Sequence, residues 1–398
     1  MNISKRGRDI QASPIRKLKP LADAAQKRGI KVYFINIGQP DIPTPQPVWE
    51  AFCNPEDKVL SYGPAQGFSE LRQAIADYYC SYGIPIEADN VIITIGGSEA
   101  IHFAFSAVSD PGGDIIIPEP YYTNYNGYAA FADVHIIPLT LKLEEGFRLP
   151  SQDEIESRIT PKTKAVLLCS PNNPTGTVYT REEIRSVVDL ARKYDLFLIA
   201  DEVYKEFVYD REEHTSVLEF PEAKERTIVI DSISKRFSCC GARVGAVITR
   251  NEQVYEAVLK FAQARLCPPT MEQRAALAAY RMGRDYFSPI REEYQRRRDV
   301  LYESLKSIPE LVLRKPQGAF YMIVKLPVND SEHFVRWMLS DFQLEGETVM
   351  VAPAQGFYAT AEKGKDEVRI AYVLKEEDLK KAIKVFGVGL EKYCSLFA

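Results

Sequence analysis

Residues 227–245 read Thr-Ile-Val-Ile-Asp-Ser-Ile-Ser-Lys-Arg-Phe-Ser-Cys-Cys-Gly-Ala-Arg-Val-Gly. The β-branched run 227–230 is long enough for one buried strand of a parallel sheet. Two serines follow it, Ser232 and Ser234, and then Lys235; Arg243 comes eight residues later, between Gly241 and Gly245. A lysine just past a buried strand, beside small hydroxyls and near an arginine, suits one chemistry. It can form a Schiff base with an aldehyde cofactor while Ser232, Ser234 and Arg243 hold that cofactor's phosphate.

The string S-x-S-K-x-F-x-x-x-G-x-R-x-G over 232–245 resembles the cofactor-lysine signature of fold-type I pyridoxal-phosphate enzymes, in their class I/II, aspartate aminotransferase-like branch. The resemblance implies an α/β fold: a large domain with a doubly wound, mainly parallel sheet, and a smaller α+β domain. It also implies pyridoxal 5′-phosphate on Lys235. Working outward, 91–95 reads as a strand, 96–98 as a glycine turn and 99–108 as an apolar helix. Exposed amides and the helix dipole at such a junction favour an anion, so Gly97 and Ser98 are candidates for the phosphate cradle. After the strand 114–117 comes Tyr122, at the position where the family stacks an aromatic ring on the pyridine, a contact worth roughly 1 kcal/mol beyond area burial. Read locally, an aromatic at the edge of a strand can instead simply close the core, so both readings of Tyr122 stay open.

The apolar run 165–170 leads into Pro171-Asn172-Asn173-Pro174-Thr175-Gly176, a rigid loop that presents an amide side chain. By resemblance Asn173 donates to the cofactor's phenolic oxygen. The strand 196–200 ends in Asp201, a carboxylate that is costly to bury without a partner. A protonated pyridine nitrogen would be that partner, and Tyr204 would join Asn173 at the phenolic oxygen. Arg369, within Glu-Val-Arg-Ile-Ala-Tyr at 367–372, matches the family's arginine for the substrate α-carboxylate. A planar guanidinium grips a carboxylate through two parallel hydrogen bonds, which lysine cannot do. Gly38 matches the glycine whose backbone lies beside that carboxylate, with Tyr122 and Asn173 also on the substrate side. Tyr62, in Y-x-x-x-x-G, matches a tyrosine that reaches the phosphate of the neighbouring subunit, which implies a homodimer with shared sites. Thr270 falls where relatives approach the partner's site.

At 398 residues the chain exceeds what one core usually fills. The expected division is a large cofactor domain over 49–287 and a small domain built from 1–48 and 288–398. Hydrophobic content of 45% and a formal net charge of −5 give no reason to expect nucleic acid or an anionic membrane as partner. No stretch of about 18 apolar residues offers a membrane span. Arg296, Arg297 and Arg298 lie in a polar helical pattern and read as a solvated face. Seven scattered cysteines without C-x-x-C spacing and a start lacking an apolar leader core point to a reducing, cytoplasmic setting. The four histidines show no metal-ligand spacing.

The function implied is transamination in amino-acid metabolism or biosynthesis, from an L-amino acid to a 2-oxo acid, with aspartate and 2-oxoglutarate as the leading pair. No second arginine for a dicarboxylate's distal group is identifiable from sequence. A β-elimination lyase of the C–S lyase type uses the same core and stays open as an alternative. A non-catalytic regulator on this fold would need a DNA-binding domain, for which there is neither room nor a basic patch.

Overall fold

Short apolar runs become strands here because helices cover them on both faces. The computed structural model describes residues 1–53, 58–210 and 212–397. In chain order the strands are β1 (Lys31–Phe34), β2 (Val91–Thr94), β3 (Asp114–Glu119), β4 (His135–Thr140), β5 (Thr163–Cys169), β6 (Phe197–Asp201), β7 (Thr227–Ser232), β8 (Gly245–Thr249), β9 (Val312–Leu313), β10 (Tyr321–Lys325), β11 (Glu347–Met350), β12 (Ala352–Pro353) and β13 (Glu367–Ala371). Seven of them form one sheet in the order β2-β8-β7-β6-β5-β3-β4. Strands β3 to β7 run parallel, and β8 is antiparallel to both β2 and β7.

Alternate residues of the central strands enter different cores, as a two-residue period requires. Val166, Leu168, Leu198, Ala200 and Val229 pack with Ile184, Val187 and Val188 of the helix Arg181–Lys193. Ala165, Leu167, Ile199, Ile228 and Ile230 face Ala100 and Phe105 of the helix Gly96–Val108, with Val254 and Val258 of the helix Glu252–Arg265. The helix Arg181–Lys193 starts where Thr180 and Glu183 form a reciprocal capping box. A third cluster gathers residues 18–35 with 290–393 around the antiparallel sheet β12-β13-β10-β9 and the parallel pair β1–β11. Among the described residues no helix is long and apolar enough to cross a membrane.

Three local expectations change. The segment 34–37 reads from sequence as the first strand, but the strand covers 31–34: the Ile35 amide still donates to Met350, while the Ile35 carbonyl accepts from Ala371, so the chain crosses toward β13. The glycine segment 96–98 is the first turn of the helix itself. Arg297 and Arg298 are buried, not solvated. Arg297 pairs with Asp41 at 2.6 Å and Glu293 at 2.8 Å, and Arg298 grips Asp210 through both terminal nitrogens at 2.8 and 2.9 Å. Polar sequence context hid carboxylates supplied from distant loops.

Candidate active site

The carboxyl ends of parallel strands leave a crevice where loops diverge, and here β5, β6 and β7 each deliver polar side chains into it. The cavity holds about 300 Å³ and is lined by Gly38, Gly97, Ser98, Tyr122, Asn173, Asp201, Tyr204, Ser232, Ser234, Lys235, Arg243 and Arg369. Tyr62 and Thr270 are not among its walls. Tyr62 is 81% exposed, and the Thr270 methyl lies near Gly63.

At the end of β7, Ser232 caps the short helix Ile233–Arg236 by accepting from the Ser234 amide. Ser232 Oγ also sits 2.8 Å from Ser234 Oγ. Lys235 Nζ donates to the Gly38 carbonyl at 3.0 Å and lies 5.9 Å from the Tyr204 ring centre. Gly38 tolerates no side chain, because a Cβ there would fall 2.0 Å from Tyr321 Oη. Across the crevice Gly96 has φ +70°, and a Cβ would fall 2.4 Å from Arg243 Nη2. The Arg243 guanidinium thus lies against the start of a helix whose first-turn amides have no intrahelical partner.

Asp201 closes β6 fully buried, with two neutral donors: Tyr125 Oη at 2.7 Å and the Val203 amide at 3.4 Å. Burial pushes its carboxyl up to about 6, against the hydrogen bond from Tyr125. Arg369 projects from β13. Its Nη1 donates to Asn173 Oδ1 at 2.8 Å and its Nη2 to the Asn36 carbonyl at 2.5 Å, while Nε has no partner. Tyr321 stacks under that guanidinium at 4.3 Å and its hydroxyl lies 2.7 Å from that of Tyr204.

Sequence reasoning missed Tyr125 and Tyr321. Tyr125 lies in a tyrosine-rich helical run that reads as core, and Tyr321 sits on a strand of the other sheet. Arg16, exposed at the cavity edge, was also unmarked, because no spacing ties residue 16 to a site 200 residues on.

The Aminotransferase class I and II family profile matches residues 31–386. The chain belongs to that family. The aspartate aminotransferase of Pyrococcus horikoshii is 31% identical over 381 residues, with 94% of each chain covered. An aromatic-amino-acid aminotransferase of Thermococcus litoralis is 32% identical, covering 96% of this chain and 98% of its own length. The Thermus thermophilus aspartate aminotransferase solved with maleate superposes with a TM-score of 0.88 at 30% identity, covering 98% of this chain and 100% of that one. The protein is an aminotransferase, and its cofactor is pyridoxal 5′-phosphate.

The residues present fit that cofactor. Serine hydroxyls, helix-start amides and Arg243 make an anion cradle, and a buried carboxylate with only neutral donors awaits a cation. Because the folded carboxyl is raised above its unfolded value, it favours the cofactor-free fold at low pH. That contribution is fully present below about 4 and is lost as pH rises through about 6. At pH 8 the cofactor-free aminotransferase therefore bears a penalty of roughly 3 kcal/mol from this group. Asp201→Asn is expected to raise the melting temperature of the cofactor-free protein at pH 8. It should also flatten its pH dependence between 4 and 6, while weakening cofactor retention. Calorimetry of both proteins across pH checks the sign.

Proposed function

We propose that this aminotransferase takes aspartate as amino donor and 2-oxoglutarate as acceptor. The carrying observation is that Lys235, Asp201, Asn173 and Arg369, drawn from four separate segments, line one cavity. Bound pyridoxal phosphate supplies an electron sink at the substrate Cα. Gly97, Ser98, Ser232, Ser234 and Arg243 would hold its phosphate, and Tyr122 would supply an aromatic face for the ring. Asp201 would serve the ring nitrogen, and Asn173 and Tyr204 the phenolic oxygen. Arg369 grips the α-carboxylate beside the Gly38 backbone. Lys235 Nζ takes the proton from the substrate Cα as base and then gives it up as acid.

Aspartate is supported by the name of the Pyrococcus relative and by the dicarboxylate maleate in the Thermus structure. It is also supported by Arg16, a cation at the cavity edge in addition to Lys235, Arg243 and Arg369. Arg16→Ala should raise KM for aspartate on the order of 10-fold, the worth of one hydrogen-bonded charge pair. KM for alanine should stay unchanged. The reading is tested by offering each amino acid alone and then with 2-oxoglutarate. A new amino acid appearing only with the acceptor, and fastest from aspartate, supports it. Ammonia and pyruvate released without an acceptor would identify a lyase.

The reading extends to a cytoplasmic homodimer divided as 49–287 and 1–48 with 288–398. Tyr62, solvent-exposed in one chain, would complete the partner's phosphate site. Mixing inactive Lys235→Ala subunits with weakened Tyr62→Ala subunits should then restore activity, since one site of each hybrid carries both residues. No gain on mixing would refute the shared site.

A further inference from the structure

Next to the lysine turn lies a buried set of charges that the transamination chemistry does not use. The loop after β6 carries Lys205 and Glu206, one and two residues past Tyr204. The end of β7 carries Asp231 and the short helix after it carries Arg236, which together bracket Ser232, Ser234 and Lys235. Signs alternate between the two segments: positive then negative on the first, negative then positive on the second. Lys205 Nζ lies 3.8 Å from Asp231 Oδ2, and Arg236 Nε lies 3.3 Å from Glu206 Oε2. Arg236 Nη2 also donates to Asp231 Oδ1, which accepts from the Ser232 amide at 2.6 Å. Asp231 therefore ties both ends of the lysine turn to each other and to the neighbouring loop.

The surroundings make this arrangement rigid. Asp231 and Arg236 are 0% exposed. Tyr79, from the helix Ser69–Cys80, donates to Asp231 Oδ2 at 3.0 Å and lays its ring 3.3 Å from Lys205 Nζ. Tyr78 from the same helix donates to Glu206. Burial works against the charge on Asp231, but Arg236 and Lys205 outweigh it and hold the carboxyl below its usual range. Burial likewise lowers Lys205, to about 8, with Asp231 opposing the shift. Four charges buried at close range hold their geometry tightly, because displacing any one leaves another uncompensated in a dry interior.

We propose that Lys205, Glu206, Asp231 and Arg236 are positioning residues, a crossed double ion pair that sets the Lys235 turn against the Tyr204 loop. The quartet touches neither substrate nor cofactor and acts through the placement of Lys235 Nζ relative to Tyr204. The proposal rests on the reading of Lys235 as the cofactor lysine.

The test compares Lys205→Met and Glu206→Gln with the paired variants Lys205→Met/Asp231→Asn and Glu206→Gln/Arg236→Met. Three readouts are needed: melting temperature, kcat and KM, and the rate at which an amine-reactive reagent modifies Lys235 in cofactor-free protein, followed by peptide mass spectrometry. In the paired variants no buried charge is left alone, so the melting temperature should return toward that of the unaltered protein. Lys235 reactivity should still change several-fold, and kcat should fall by up to about 100-fold with little change in KM, the signature of a displaced catalytic group. Paired variants with normal kcat and normal Lys235 reactivity would overturn the proposal and leave the quartet a purely structural feature. Should the single variants fail to fold, the paired ones carry the test alone. Borohydride treatment of the unaltered protein with pyridoxal phosphate separates the two premises. Cofactor mass fixed on Lys235 upholds the parent reading whatever the variants do, and its absence removes that reading instead.

Discussion

Lys235→Ala should lower kcat by at least about 10⁴-fold, the upper range of what a positioned acid–base group contributes. The neighbouring cations and the tyrosine pair offer no substitute for it. Arg236, the adjacent cation, is buried in ion pairs with Asp231 and Glu206 and points away from the crevice lining. Arg243 and Arg369 line the crevice, but guanidinium groups stay protonated and cannot serve as bases. The Tyr204 and Tyr321 hydroxyls are committed to each other at 2.7 Å, and burial pushes the Tyr204 hydroxyl well above its ordinary range. Stability should barely change, because Lys235 makes only a hydrogen bond to the Gly38 carbonyl at 3.0 Å, whose net worth is about 1 kcal/mol, and a long one to Cys240 Sγ at 3.8 Å. The comparison is therefore clean: calorimetry shows the variant folded, and steady-state kinetics show it inert. A folded variant that kept full turnover would remove Lys235 from the mechanism.

What the sequence made legible followed from local physics. The strands β5, β6 and β7 each contain an apolar run, 165–169, 197–200 and 228–230, and the polar groups past those runs, Asn173, Asp201 and Lys235, are the ones that meet in the crevice. The helix Arg181–Lys193 is legible from Thr180 with Glu183 three residues on, the spacing of a capping box. What stayed hidden depends on contacts between segments far apart in the chain. Nothing near residue 125 says that its hydroxyl will hold Asp201, and nothing near 321 says that its ring will lie beneath Arg369 and against Gly38. The misread arginines at 297 and 298 fail for the same reason: a charged residue in a polar helix is buried only if distant acids arrive, and Asp41 and Asp210 do. The lysine turn hid its own scaffold, since Asp231 and Arg236 looked like ordinary flanks of a motif.

Arg369→Ala should cut kcat/KM for amino acids by about 10²- to 10³-fold, the range expected when one partner of a buried, hydrogen-bonded charge pair is truncated. The guanidinium is placed before substrate arrives. Nη1 is fixed on Asn173 and Nη2 on the Asn36 carbonyl, with Tyr321 and Phe357 rings at 4.3 and 4.9 Å. Burial lowers its pKa, and the hydroxyls of Tyr321, Tyr204 and Tyr122 oppose that shift. A buried cation held by neutral acceptors is under-compensated, and a substrate carboxylate would supply the missing charge. Arg369→Lys keeps the charge but loses the planar fork and the ring stacking, so it should recover only part of the loss. Truncation also leaves the Asn173 and Asn36 acceptors unpaired, which costs stability whether or not substrate binds. The decisive comparison is therefore between an amino acid and the amine that lacks its carboxylate. If Arg369 binds that carboxylate, the unaltered enzyme prefers the amino acid strongly, and in Arg369→Ala the preference collapses while the slow reaction of the amine is unchanged. Equal losses for both compounds would mean that Arg369 supports the fold of the crevice and not the recognition of substrate.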